Sequence, residues 1–278
     1  MSIANPLQQR LITAGVLTPA VMMAVLLLPH AYFALLMAAV VCLGALEWAE
    51  FIGGGARIWR WLYVALVGAC MLLLWFVIPG AWDVYLLALA ALWWVATARA
   101  LARVGTVEPS TGVAPGLVAA GLVVLVSPWI AIVGLHAVAD NGPWLVLALM
   151  MLIWIADSVA YFSGRQWGNR RLAPALSPGK TLAGVYGALI GASSWGVLLA
   201  LLLHLSFGRG LLLVLLCALT AALSVVGDLY ESLLKRQRGL KDAGSILPGH
   251  GGVLDRIDSM TAAAPFFALG LFWLERGL

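Results

Sequence analysis

The stretch from Asp228 to Asp258, DLYESLLKRQRGLKDAGSILPGHGGVLDRID, constrains this chain more than any other. Its 31 residues hold five acids (Asp228, Glu231, Asp242, Asp255, Asp258) and five bases (Lys235, Arg236, Arg238, Lys241, Arg256). Long apolar runs flank it, 211–226 before and 260–274 after. A charge left at the centre of a bilayer costs roughly 2.5–3.5 kcal/mol on insertion scales. This many charges would outweigh the hydrophobic gain of any span, so the stretch faces water at a membrane surface or pairs internally.

The rest of the chain supplies the membrane. Of 278 residues, 63% are hydrophobic and 10% charged. That composition excludes a soluble domain and predicts an all-α, polytopic integral membrane protein, residues 1–278 forming a single membrane-embedded domain. Cuts at Pro, Gly and charge clusters give nine spans, at about 11–28, 31–51, 59–78, 82–98, 113–138, 143–163, 184–206, 209–230 and 258–276. Pro128 divides the fifth, where a kink or break is expected. The first part, about 1–140, has scaffold character; about 141–278 carries the catalytic helices and polar loops. Cys42, Cys70 and Cys217 all sit in apolar runs. Their odd number and scattered spacing argue against a disulfide framework or a zinc site. The run Leu11–Leu28 continues into more membrane with no A-x-A site, so a cleaved signal peptide is not expected.

The positive-inside rule orients the parse. With the N-terminus cytoplasmic, 14 of the 16 bases fall on cytoplasmic segments, and only Arg209 and Arg276 fall on the other side. One missed span would invert every later loop. The net charge of +4 therefore reports topology and implies no nucleic-acid partner. Both long polar loops, 164–183 and 231–257, face the cytoplasm in this parse. Trp59, Trp61, Trp93 and Trp94 fit aromatic belts at span ends, and Gly187 with Gly191 fits close helix packing. His30, His136 and His204 stand alone near membrane edges. Glu47 and Glu50 read as interfacially solvated acids, with a supporting role at the site left open.

The sixth span ends with Asp157 and Tyr161, four apart and so on one helix face. An acid this close to an apolar run is a functional candidate in a membrane; pairing with Arg165 is the structural alternative. Next comes Ser177-Pro178-Gly179-Lys180-Thr181, which offers a hydroxyl, an ammonium and backbone N–H groups ahead of a helix. It lacks the spacing of a P-loop; phosphate contact and an ordinary helix start both remain open. If the eighth helix runs past the membrane, Asp228, Ser232 and Lys235 share a face, Glu231 can pair with Lys235, and Gly239 ends the helix. The loop from Gly244 to Gly252 lets backbone amides approach phosphate oxygens. Asp255 and Asp258 then open the last helix, where capping accounts for one of them.

Two carboxylates within about 4 Å repel by roughly 4 kcal/mol at an effective dielectric near 20. A divalent cation between Asp228 and the Asp255/Asp258 pair would turn that repulsion into binding. Magnesium suits oxygen ligands shared with substrate phosphates. The chemistry read from the residues is metal-assisted phosphoryl or nucleotidyl transfer at the cytoplasmic membrane face.

The pattern Ser232-x-x-Lys235-Arg236-x4-Lys241-Asp242-x-Gly244, followed by Pro248-x-His250-Gly251-Gly252-x-x-Asp255-Arg256-x-Asp258, resembles the signature of phosphatidate cytidylyltransferases, also called CDP-diglyceride synthases. Ala156-Asp157, Tyr161-Phe162, Gly164-Arg165, Leu172-Ala173-Pro174 and Ser177-Pro178-x-Lys180-Thr181 resemble that family as well. The chain departs from it at Gly179, where many members have Lys, and at Leu182-Ala183, where they have Trp-Glu. The resemblance implies that CTP and phosphatidic acid give CDP-diacylglycerol and pyrophosphate in phospholipid biosynthesis, with magnesium as cofactor. It implies a bacterial cytoplasmic (inner) membrane enzyme with its site facing the cytoplasm, and leaves open an additional monovalent cation and a homodimer.

By the same resemblance, the catalytic set is Asp228, Lys235, Arg236, Asp255 and Arg256, with the metal on Asp228 and Asp255 and with Asp258 behind them. Substrate binding falls to Asp157, Ser177, Lys180, Thr181, Ser232, Lys241, Asp242, Gly249, His250, Gly251 and Gly252. Two other readings stand beside this one. A related CTP-dependent enzyme could act on another lipid phosphate, since the tail pocket lies among featureless apolar spans. A cation-coupled transporter is the reading of a different class, but the acids gather at one face and no paired broken helices occur in two halves.

Overall fold

A computed structural model describes residues 6–53, 55, 57–77, 83–246 and 251–276. Nine helices appear among them: α1 Pro6–Leu27, α2 His30–Ile52, α3 Arg57–Val77, α4 Asp83–Leu101, α5 Gly116–His136, α6 Gly142–Trp167, α7 Leu182–Leu202, α8 Phe207–Gln237 and α9 Leu254–Arg276. Eight are long and apolar enough to cross a bilayer, and α1 adds the shorter apolar stretch Gly15–Leu27. With side chains such as Phe76, Leu92 and Phe207 facing outward, this is the helical integral membrane protein that the composition requires. In lipid each backbone polar group must be satisfied within the protein, which only helices and closed barrels achieve across a bilayer.

The core runs through the middle of the bundle, where Trp48, Phe51, Leu125, Leu149 and Phe267 are buried. Trp94, expected in an aromatic belt, is buried here instead, edge-on to Trp93 and Tyr230. Trp59 and Trp61 are exposed, as a belt requires. α5 passes through Pro128 as one helix, and the preceding hydroxyl, Ser127 Oγ, donates to the Val123 carbonyl at 2.6 Å. Small residues bring α7 against α6: a Cβ on Gly187 would overlap Ser163, and one on Gly191 would press on Val159.

The two ends of the bundle differ. At one end, His30 and His136 are not the isolated rings expected from their separation in sequence. Their Nδ1 atoms lie 3.4 Å apart, His136 Nε2 is 3.0 Å from the Val25 carbonyl, and the His136 ring stacks on Phe33. The other end is polar and gathers the C-terminal ends of α2, α6 and α8 with the N-terminal ends of α7 and α9. Here α8, at 31 residues, is about 46 Å long. That exceeds the roughly 30 Å hydrocarbon core, so its last turns project from the bundle. Arg238 follows as its C-cap, and Gly239 turns the chain at φ +68°, a backbone conformation suited to glycine.

One strand pair interrupts the helical pattern. β1 (Arg171–Ala173) and β2 (Ser177–Thr181) form an antiparallel hairpin between α6 and α7. Leu176 at its turn is buried against Leu101 of α4 and Leu229 of α8, which pins the hairpin across the bundle end.

Candidate active site

The hairpin, α6, α7 and α8 enclose a cavity of about 550 Å3. Asp157, Tyr161 and Arg165 enter it from α6, Arg171 and Lys180 from the hairpin, and Asp228 from α8. Lys180 Nζ lies 2.6 Å from Asp228 Oδ2, and Ser232 Oγ donates to Asp228 Oδ1 at 3.3 Å. The structural use considered for Asp157 is not the one found, because Arg165 bonds the Tyr161 hydroxyl at 3.3 Å. Asp157 instead lies within electrostatic reach of Asp228 and Lys180.

Thr181 reaches the cavity wall as the N-cap of α7, its Oγ1 accepting the Gly184 amide at 3.1 Å. Gly164 and Gly168 make room for it, since a Cβ on either would crowd that side chain. The hydroxyl is thus already engaged with a helix start. Ser177 sits further back on β2, opposite Ala173.

The crossing of α8 and α9 decides which acids meet. A Cβ on Gly227 would overlap the Asp258 carbonyl, so the helices touch at this point. The next residue of α8, Asp228, consequently sits beside Asp258, one turn along α9 from Asp255. Asp258 lies in the field of Asp228, Lys180 and Lys235, while its Oδ1 accepts the Ser259 amide at 2.6 Å.

Asp255 belongs to a neighbouring knot. Its Oδ1 accepts from Lys235 at 2.7 Å, and its Oδ2 accepts the amides of Ala243 and Gly252 at 2.9 and 2.8 Å. Lys235 is also 3.1 Å from Glu231 Oε1, the i, i+4 contact expected on α8. That contact is ionic without hydrogen-bond alignment, and both buried Glu231 oxygens lack a hydrogen-bond partner among the described residues. The two expected metal-binding carboxylates thus have different partners: Asp228 faces Lys180, and Asp255 faces Lys235 and backbone.

The remaining candidates are more dispersed. Arg236 Nε donates to the Leu176 carbonyl at 3.4 Å, tying α8 to the hairpin. Lys241, Asp242 and Arg256 are exposed, and Asp242 lines a second cavity of about 580 Å3 with Glu50, Arg57, Arg60 and Trp61. Gly251, at φ +79°, and Gly252 border the Asp255 knot. Gly249 and His250 lie outside the described residues.

Three residues acquire places that the sequence did not give them. Arg171, counted only among the topology-setting bases, lines the first cavity. Arg238 donates to four carbonyls, those of Phe51, Ile52, Ser110 and Gly112, and so ties α8 to the end of α2 and to the segment before α5. Glu47 is 4% exposed, not solvated at an interface, and binds the Val253 and Leu254 amides. Glu50 does hold an interfacial position, paired with Arg60 at 2.7 Å. An acid in an otherwise apolar helix was the available signal for Glu47. Nothing local shows its partner 206 residues away.

Compared with known proteins, residues 8–274 match the sequence profile of a family described as the Cytidylyltransferase family. The chain is 45% identical over 271 residues to a protein of Pseudomonas aeruginosa named Phosphatidate cytidylyltransferase, covering 96% of this chain and 97% of that one. A Haemophilus influenzae protein of the same name is 37% identical over 294 residues, covering 96% and 99%. One from Bacillus subtilis is 44% identical over 127 residues, covering 44% and 46%.

Proposed function

The chain belongs to the cytidylyltransferase family, and we propose that it transfers CMP from CTP to phosphatidic acid, giving CDP-diacylglycerol and pyrophosphate. The observation that carries this reading is the near-complete alignment with relatives named for that reaction. The geometry supports it. The cavity holds three bases, Arg165, Arg171 and Lys180, against two acids, Asp157 and Asp228. At about 550 Å3 it falls within the usual range for a small-molecule site.

The attacking group is a lipid phosphate oxygen, already anionic near neutral pH, so no strong general base is required. The requirement is to bring two polyanions together and to balance charge at the α-phosphorus. Lys180, Arg171 and Arg165 bind phosphate oxygens from one side of the cavity. Lys235, fixed between Glu231 and Asp255, offers a further ammonium on the α8 face. Tyr161, Phe162 and Tyr186 are exposed on α6 and α7, where acyl chains enter from the bilayer while CTP arrives from the cytosol. On this reading the polar end faces the cytoplasm and the protein sits in the bacterial inner membrane.

Among the described residues no three acids, histidines or cysteines converge as a preformed metal centre. Magnesium needs fewer, because one or two carboxylates plus substrate phosphates and water complete its shell. Asp228 already holds a cation, the Lys180 ammonium, and Asp258 adjoins it, so the donor set fits. Asp228 and Asp258 would hold the ion, with Asp255 securing Lys235 and the glycine loop. Bound there, magnesium would supply charge neutralisation to the polyphosphate.

Purified protein given labelled CTP, magnesium and a panel of lipid and prenyl phosphates tests the assignment. CDP-diacylglycerol and equimolar pyrophosphate are expected with phosphatidic acid. Turnover confined to another lipid phosphate would reassign the substrate.

A further inference from the structure

Glu47 lies on α2, in the half of the chain that carries none of the motifs, yet its carboxylate reaches the start of α9. Oε1 accepts the Val253 amide at 3.0 Å and Oε2 accepts the Leu254 amide at 2.8 Å. Such amides at a helix start have no intrahelical acceptor. The residue preceding α9 is Val253, which has no side-chain oxygen to cap with. Glu47 supplies from a distant helix the acceptor that the local sequence lacks, and its charge suits the positive end of the helix dipole.

The same carboxylate packs against the glycine loop. A Cβ on Gly244 or Gly252 would overlap it, so both positions need glycine for this close approach. Asp255 Oδ2 takes the two neighbouring amides, Ala243 and Gly252. Two carboxylates from opposite halves of the chain thus receive four amides at the two ends of the loop 243–252. With Glu47 absorbing its share, Asp255 keeps Oδ1 for Lys235.

We propose that Glu47 is a positioning residue for cytidylyl transfer: it sets the N-terminus of α9, and through it the Lys235–Asp255 pair and the meeting of Ala243 and Gly244 with Gly252. The inference rests on the functional reading above and extends the active site into the N-terminal half. Without Glu47, two amides in a buried site lose their acceptor, the loop ends loosen, and Asp255 is drawn from Lys235 towards the vacated amides.

Glu47→Gln tests this, because it keeps the size but replaces one of the two acceptor oxygens with an NH2 donor that faces a backbone N–H. Expected are at least a tenfold lower kcat per folded molecule, a raised KM for CTP, and faster hydrogen exchange across 243–254 with α6 and α7 unchanged. Gly244→Ala displaces the same carboxylate while leaving it chemically intact, so it should give the same kinetic change. The double variant should be little worse than either single. Glu50→Gln, on the same helix but paired outward with Arg60, should keep wild-type rates. Wild-type kcat and KM per folded molecule in Glu47→Gln, whatever its thermal stability, would overturn the proposal, as would losses that multiply in the double. If Glu47→Gln fails to accumulate, Gly244→Ala decides by the same criteria. Inactivity of the wild type with CTP and every lipid phosphate would count against the functional reading alone; unchanged exchange at 243–254 would still reject the positioning role.

Discussion

Lys180 on the hairpin and Asp228 on α8 lie 2.6 Å apart across the cavity, with side chains 25% and 31% exposed. An ion pair this open to water contributes about 1 kcal/mol or less to stability. On the proposed function its place has a chemical explanation: a base for phosphate and an acid for cations, each keeping the other ready.

The loss of Lys180 should therefore appear in turnover before it appears in folding. Lys180→Ala is expected to lower kcat at least tenfold, about 1.4 kcal/mol of transition-state stabilisation. Arg171→Ala should also reduce turnover, because Arg171 lines the same cavity, whereas Arg170→Ala should not. Equal small losses for all three, measured as CDP-lipid formation, would remove the cavity from the reaction.

Asp258 and Asp255 should separate in a magnesium titration. Asp228→Asn and Asp258→Asn are each expected to raise the magnesium concentration needed for half-maximal rate, with a double variant little worse than either. Asp255→Asn should lose activity with an unchanged magnesium midpoint. It should also lose about 3 kcal/mol of stability, since it breaks a pair whose side chains are only 6% and 13% exposed. A shifted midpoint in Asp255→Asn, with none in Asp258→Asn, would return the ion to the Asp228/Asp255 pair.

Arg238 predicts the opposite pattern. Its fork donates to four carbonyls, and a lysine ammonium cannot span them. Arg238→Lys should cost about 2–4 kcal/mol, taking about 1.5 kcal/mol for each charged hydrogen bond lost. The check is thermal unfolding in detergent beside kcat per folded molecule, which should stay near wild type.

The α8–α9 contact can be tested at one atom. Gly227→Ala drives a methyl into the Asp258 carbonyl and should abolish most activity by parting Asp228 from Asp258. Gly134→Ala, with open space around it, should have no effect. Wild-type activity in Gly227→Ala would mean the crossing is not needed for the site.

Orientation is open to labelling. A single cysteine at Ser245, exposed at the polar end, should resist impermeant thiol reagents in intact cells, and one at Gly208 should react. Labelling of Ser245 from outside would reverse the topology.

Much of this was legible in one dimension because a bilayer makes local composition decisive. A run of about 20 apolar residues has few alternatives to a helix, so the nine runs correspond to nine helices among the described residues, with ends shifted by a few residues. The extension of α8 past the membrane and its stop at Gly239 were likewise readable from spacing and from a residue suited to positive φ. The charged stretch marked the polar end because charge is expensive anywhere else in such a chain.

The partners within that end were decided by tertiary structure. Asp255 and Asp258 are three residues apart and equivalent by composition; a glycine on another helix, Gly227, brings Asp228 to Asp258 and leaves Asp255 to Lys235. Glu47 looked like any acid near a span end until α2 packed beside α9 and buried it against an uncapped helix start. Trp94 and the His30–His136 pair changed meaning for the same reason. Sequence determines which segments enter the membrane, because that free energy sums over neighbouring residues. Which charge meets which depends on helix rotation and close approach, set by small residues and packing between segments far apart in the chain, and these exist only once the bundle has formed.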